Sequence, residues 1–214
     1  MRNILLTGGA GYIGTVLTRL LLNQGYSVTI VDNHMYDQFS LGHLIPNKKL
    51  NVIVDDVRND KVMSNLIPKH DIIIPLAAYV GAPLCAKDPN GANSVNKDSI
   101  KNLISKVSKE QLIIMPTTNS AYGDGQGNIH CDELTPLNPI SKYAIDKVEV
   151  EKVLMQREKS ISFRLATVFG VSPRMRLDLL VNAFVNRALK DKFIVLFDGN
   201  FKRNYIHVSD VARA

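Results

Sequence analysis

Cysteine is nearly absent from this sequence: its 214 residues contain two, Cys85 and Cys131. Two thiols make no disulfide framework, and their separation does not match metal-ligand spacing. No apolar run approaches the ~18 residues that a membrane-crossing helix requires, so no membrane association is expected. The first residues pass directly into a strand-like run, which leaves no room for a secretory leader, and a cytoplasmic protein is expected. Charge of one sign is also missing. The 26 Lys and Arg are scattered among 20 Asp and Glu, and the densest basic clusters, Lys48-Lys49 and Arg174-Met175-Arg176, are short. Without a basic stripe interleaved with aromatics, nucleic acid is not an expected partner. The net charge of +6 suits a small anionic one instead. His34, His43, His70, His130 and His207 show no ligand spacing, and no metal is expected.

What is present is a regular alternation. Strand-like runs at 3–7, 27–31, 51–54, 71–74, 112–115, 162–166 and 193–196 are interspersed with helix-like segments at 12–24, 95–109 and 141–157. The first helix carries Ile13, Val16, Leu17, Leu20 and Leu21 at helical spacing, and Gly25 stands where a C-terminal cap belongs. Strands separated by helices predict an α/β fold with right-handed crossovers and a mostly parallel sheet covered on both faces. No internal repeat, low-complexity linker or domain boundary is visible before about residue 165.

The stretch LLTGGAGYIGTVL places Gly8, Gly9, Gly11 and Gly14 between the first strand and the first helix. Glycine weakens both elements, so the bare backbone has another use. A glycine turn in this setting fits dinucleotide binding: the turn is tight, the backbone approaches a pyrophosphate, and the helix lies close on the strand. The opening turn of the helix offers unpaired N–H groups and the positive end of its dipole to the phosphates. Asp32 follows the second strand, 18 residues beyond Gly14. A carboxylate there accepts hydrogen bonds from ribose hydroxyls and repels the extra phosphate of NADP, so NAD is the expected cofactor.

Further motifs follow in order: PLAAYVGAPLCAKDP, MPTTNSAYG, NPISKYAIDKVEVEKVL with Tyr143-x-x-x-Lys147, FRLATVFG and RNYIHVSDVA. Together with TGGAGYIG they make the whole chain resemble the extended short-chain dehydrogenase/reductase family, within it the nucleotide-sugar epimerases, dehydratases and 4-dehydrogenases. The resemblance implies a Rossmann-type doubly wound NAD-binding domain over residues 1–165. It also implies the start of a substrate-binding lobe, truncated, over 166–214 and partly interleaved with the sheet. On the cofactor side it implies that Gly8, Gly11, Tyr12, Ile13 and Gly14 form the pyrophosphate turn and that Asp32 and Asn33 face the adenosine ribose. Asp56 and Val57 match an acid-plus-aliphatic pair at the adenine, and Leu76, Ala77 and Ala78 match the backbone strip beside the cofactor. Asn96 matches an Asn at the start of the following helix and is expected to contact the cofactor. Thr118, Tyr143 and Lys147 match the catalytic set, with Tyr143 and Lys147 also touching the cofactor. On the substrate side, Thr118, Asn119, Asn182 and Arg203 are implied, the last two at the sugar nucleotide's diphosphate.

The implied activity is NAD-dependent oxidation of a ring hydroxyl, C4 being expected, of a nucleoside-diphosphate sugar, as an epimerase or a 4-dehydrogenase. A homodimer formed through the helices at 95–109 and 141–157 is implied as well. The alternative is a non-catalytic NAD-binding module on the same fold. Departures from the family pattern narrow the reading. Asn119 and Ser120 replace the Asp-Glu of the dehydratases, which argues against a 4,6-dehydratase. Thr167 stands where many members carry Asn, and Arg174 or Arg176 is expected to supply that diphosphate contact instead. Tyr143 and Lys147 lie four apart, on one helix face. A free tyrosine, with a pKa of about 10, is a poor base near neutrality. The Lys147 ammonium, with the positive nicotinamide of bound NAD adding to it, is therefore expected to favour the Tyr143 phenolate. Cys85 is expected to pack rather than to react.

Overall fold

The computed structural model describes residues 2–123, 130–197, 199–200 and 202–214. Six strands form the frame: β1 (Asn3–Thr7), β2 (Ser27–Asp32), β3 (Leu50–Val54), β4 (Ile72–Pro75), β5 (Leu112–Thr118) and β6 (Ser160–Leu165). Their order is β3-β2-β1-β4-β5-β6, and every pair is parallel. This is the expected Rossmann-type doubly wound sheet. The order reverses between β1 and β4, and at such a switch point a crevice opens beyond the carboxyl ends of the strands.

Alternation along the strands explains their unbroken apolar sequences. Leu5, Ile73 and Ile113 point to one face, where they meet Ile100, Leu103, Val150 and Leu154. Ile4, Leu6, Ile30 and Ile74 point to the other, against Leu22 and Leu41. Both faces are covered, so a polar residue at either parity would be buried. The helices are α1 (Tyr12–Asn23), α2 (Asp60–Leu66), α3 (Ala82–Lys87), α4 (Pro89–Asn93), α5 (Ser99–Lys106), α6 (Lys142–Leu154), α7 (Leu180–Lys190) and α8 (Val208–Arg213). Helix α1 ends as its sequence predicts. Gly25 takes a φ of +88°, and the N–H groups of Gly25 and Tyr26 close back on the carbonyls of Leu22 and Leu21 at 3.0 and 3.1 Å.

Two expectations are corrected. The helix predicted at 95–109 begins earlier and is not uniform. The Asp88 side chain caps α4 by accepting from Gly91 N–H at 2.9 Å, and a π turn at Ser94–Asp98 joins α4 to α5. That widened turn carries Asn96 fully into the interior. The strand predicted at 193–196 does not form; Phe193–Leu196 lie in irregular, exposed chain. Their β-branched and aromatic character has no sheet to join among the described residues, and strand propensity is expressed only where a neighbour and a face to bury exist. A separate pair forms instead, β7 (Thr167–Phe169) parallel to β8 (Tyr205–His207). Helix α8 then lies on α1, with Val208 and Ala212 against Tyr12 and Val16. Among the described residues no helix is long and apolar enough to cross a membrane.

The doubly covered sheet sets unequal costs along its strands. Ile73→Ala, at a fully buried position of a central strand, should destabilise by about 2–5 kcal/mol in a urea titration. Val54→Ala, at the exposed end of the edge strand β3, should stay within about 0.5 kcal/mol. Equal effects would contradict burial on both faces.

Candidate cofactor and catalytic cleft

The turn between β1 and α1 is held so closely that side chains are excluded. Gly8 has a φ of +70°, and a Cβ there would lie 2.5 Å from the Ala77 amide nitrogen. A Cβ on Gly14 would lie 2.5 Å from the Gly8 carbonyl oxygen, and one on Gly11 3.0 Å from the same atom. Gly9, which has no separate role in the motif, lets the turn pack on Ile30, whose side chain a Cβ would approach to 2.7 Å. Gly11 caps α1 without a side chain, and the first turn carries no acid. A cavity of about 460 Å³ opens beside it, lined by Gly8, Gly11, Tyr12, Ile13 and Gly14.

The adenosine side is built from the ends of β2 and β3. The Asp32 carboxylate accepts from the amides of Ala10 and His34, each at 2.9 Å, one on each oxygen. Each oxygen keeps a lone pair for a ribose hydroxyl. Asn33 donates to Asp56 at 3.4 Å, and Arg58 grips the Asp56 carboxylate at 2.7 and 2.8 Å. These Arg58 bonds hold Asp56 at about 2. Asp32, Asn33, Asp56 and Val57 all line the cavity, as do Leu76, Ala77 and Ala78 beyond β4. A bare glycine cradle, an open helix start and a ribose-facing carboxylate fit a dinucleotide.

The far end carries the candidate catalytic residues. Ser141 caps α6 by accepting from Ala144 N–H at 3.2 Å, so Tyr143 and Lys147 lie one turn apart on the side facing the sheet. Thr118 ends β5, and its hydroxyl oxygen accepts from Ser120 N–H at 3.2 Å, which leaves its proton to donate. Thr118, Asn119, Tyr143 and Lys147 line the same cavity as the glycine turn. The Lys147 Nζ lies 6.0 Å from the centroid of the Tyr143 ring. The expected lowering of Tyr143 is not met in the protein alone. Burial dominates and pushes the phenol up to about 12, with Cys85 adding and Arg176 opposing. Burial also takes Lys147 down to about 8. Desolvation pushes each group toward its neutral form, and the Lys147 ammonium does not reverse the rise of Tyr143.

Three predicted contacts lie elsewhere. Asn96 is wholly buried and does not line the cavity. Its side chain accepts from Tyr79 N–H at 2.8 Å and donates to Tyr79 C=O at 2.9 Å, fixing the loop after β4. Asn182 is also buried off the cavity; it accepts from Gly170 N–H at 3.0 Å and donates to the Tyr12 hydroxyl at 3.2 Å. Arg203 is exposed and is not among the residues lining the cavity. The cations that do line it include Arg174 and Arg176. Cys85 packs as expected, its thiol donating to Tyr79 C=O at 3.3 Å and raised by burial. Ser172 was not legible in sequence: its hydroxyl donates to Tyr12 C=O at 2.7 Å and ties the segment after β7 to α1. Among the described residues no group of three or more His, Cys, Asp or Glu is placed to hold a metal ion.

Known proteins share this arrangement. The chain is 27% identical over 224 residues to the UDP-N-acetyl-alpha-D-glucosaminuronate decarboxylase of Bacillus cytotoxicus, covering 100% of this chain and 70% of that protein. The Thermotoga maritima UDP-glucose 4-epimerase, solved with UDP-glucose, superimposes with a TM-score of 0.86 at 27% identity over 99% of this chain and 71% of that one. The Bacillus cereus UDP-glucuronic acid 4-epimerase, solved with UDP-glucuronic acid and NAD, gives 0.85 at 26% identity over 99% and 71%. Residues 4–214 match the NAD dependent epimerase/dehydratase family, and the chain belongs to it.

Proposed function

We propose that the protein uses NAD to oxidise a ring hydroxyl, at C4, of a nucleoside-diphosphate sugar, as an epimerase or a 4-dehydrogenase. The observation that carries this reading is one cavity lined both by the glycine turn and by Thr118, Tyr143 and Lys147. The likeness to epimerases solved with UDP-sugars supports the substrate class. Asn119 and Ser120, in place of an acidic pair, disfavour dehydration.

Bound NAD supplies the hydride acceptor and, with it, a positive ring. Gly8, Gly11, Tyr12, Ile13 and Gly14 hold its pyrophosphate end, Asp32 the adenosine ribose, and Lys147 the other ribose. Thr118 donates a hydrogen bond to the reacting sugar oxygen and fixes it. Tyr143 takes the hydroxyl proton. Its phenol stands at about 12 in the protein alone, so it becomes a base only when added positive charge offsets burial. Lys147, at about 8, is mainly protonated at neutral pH, and the further charge would come from the positive ring of bound NAD. Arg176 opposes the rise of Tyr143 and is held by Asp178, its Nε donating at 2.8 Å; as a cation lining the cavity, it is the residue assigned here to the substrate's phosphates.

Incubation with a panel of nucleotide sugars separates the outcomes. Net NADH identifies a dehydrogenase, and altered sugar without NADH an epimerase. NAD binding without turnover of any member would favour the non-catalytic module.

Tyr143→Phe removes one hydroxyl and keeps the ring. It should lower turnover by roughly 10² or more while NAD binding survives. Ultraviolet titration checks the same group: the difference between the ligand-free protein and Tyr143→Phe should show no tyrosinate step below pH 10, because the raised phenol keeps its proton there. Saturating NAD should bring that step down. Near wild-type turnover in Tyr143→Phe would assign the base elsewhere.

Asp32 should set cofactor choice, since its carboxylate stands at the ribose side of the cavity. NAD should bind at least about tenfold more tightly than NADP, a difference of about 1.4 kcal/mol. Calorimetric titration with both decides it, and equal affinities would refute the role.

A further inference from the structure

Arg174 is more than nine-tenths buried, lines the cavity, and forms no ion pair among the described residues. Its buried Nε has no hydrogen-bond partner among them either. Its guanidinium lies 3.9 Å from the centroid of the Tyr36 ring. The carboxylate within electrostatic reach, Asp178, is engaged by Arg176. A buried cation with no paired anion is costly, and a ring face offsets only part of that cost. The arrangement calls for an anion that the chain does not provide.

Position along the chain says which anion. The segment carrying Arg174 is hooked onto the first turn of α1 by three hydroxyl contacts. Tyr12 donates to Gly170 C=O at 2.6 Å, Ser172 donates to Tyr12 C=O at 2.7 Å, and the hydroxyls of Ser172 and Thr15 lie 2.9 Å apart. Two residues beyond the Ser172 hook, Arg174 reaches Tyr36, which lies four residues after Asp32 on the adenosine-side loop. Arg174 therefore links the segment after β7 to the loop after β2, and it lines the same cavity as the glycine turn.

We infer that Arg174, held on Tyr36, binds the pyrophosphate of the dinucleotide and not the diphosphate of the sugar nucleotide. This replaces the substrate role that the sequence suggested for it, and it rests on the reading of the cleft as an NAD site. A planar fork of donors suits phosphate oxygens, and it adds full charge where α1 offers only backbone N–H groups and a partial dipole. Tyr36 is the positioning residue: exposed, with its ring as the platform.

Equilibrium binding of NAD, ADP-ribose, adenosine and UDP to the protein and to Arg174→Gln tests this without turnover. NAD and ADP-ribose should each weaken tenfold or more, as expected for losing hydrogen bonds to a charged group. UDP should change less than twofold, and adenosine, which lacks phosphate, should not change. Tyr36→Leu, at an exposed position, should weaken NAD and ADP-ribose about threefold by releasing the guanidinium, and it serves if Arg174→Gln does not fold. A loss confined to UDP would move Arg174 to the substrate, and unchanged NAD binding in either folded variant would overturn the inference. If the wild-type protein bound neither NAD nor ADP-ribose, the reading of the cleft would fall with it.

Discussion

Close approach of backbone to backbone at the end of β1 is the constraint on which the site depends. The Gly8 position comes within 2.5 Å, measured from an added Cβ, of the chain leaving β4, and the Gly14 position comes equally near the turn that precedes it. No side chain fits, so the turn is locked between two central strands and its own helix. That lock brings the open start of α1 to the switch point of the sheet. It also sets Leu76 and Ala77 against the same cavity. Strand β5 and helix α6 then bring Thr118, Tyr143 and Lys147 to a space whose other end is already fixed.

Much of this is local and therefore legible. The glycines, Asp32 and the capped start of α6 each carry a signature within a few residues, and the continuous apolar strands announce a sheet covered twice. Asn96 and Asn182 were less legible because an amide serves backbone as readily as ligand. The π turn that carries Asn96 inward leaves no mark in the spacing of apolar residues, and the partners of Asn182 lie 6, 12 and 170 positions away. The 193–196 stretch misled for a related reason: strand composition states a preference, and pairing depends on residues far along the chain.

The inversion at Tyr143 and Lys147 has a different origin. Spacing on a helix shows that two groups are neighbours, but not how much water each retains. Burial here outweighs the nearby charge at Tyr143, which keeps its proton in the protein alone, and lowers Lys147 without neutralising it at neutral pH.

The exposed run Phe193-Ile194-Val195-Leu196-Phe197 has a colloidal consequence. Five consecutive apolar residues with high β-propensity, free of proline and paired to no strand, have the composition of segments that stack into intermolecular sheets. Helix α7 adds Val185 and Leu189, both exposed, about two turns and one turn before it. The sequence sets Lys190, Asp191 and Lys192 on one flank and Asp198 on the other. Flanking charges of this kind act as gatekeepers: strand stacking in register would bring like charges together, so the cost of self-association rises with every copy added. Ionic strength is then a control on the physical state of this chain in concentrated solution, since salt screens those gatekeepers while leaving the apolar run as attractive as before.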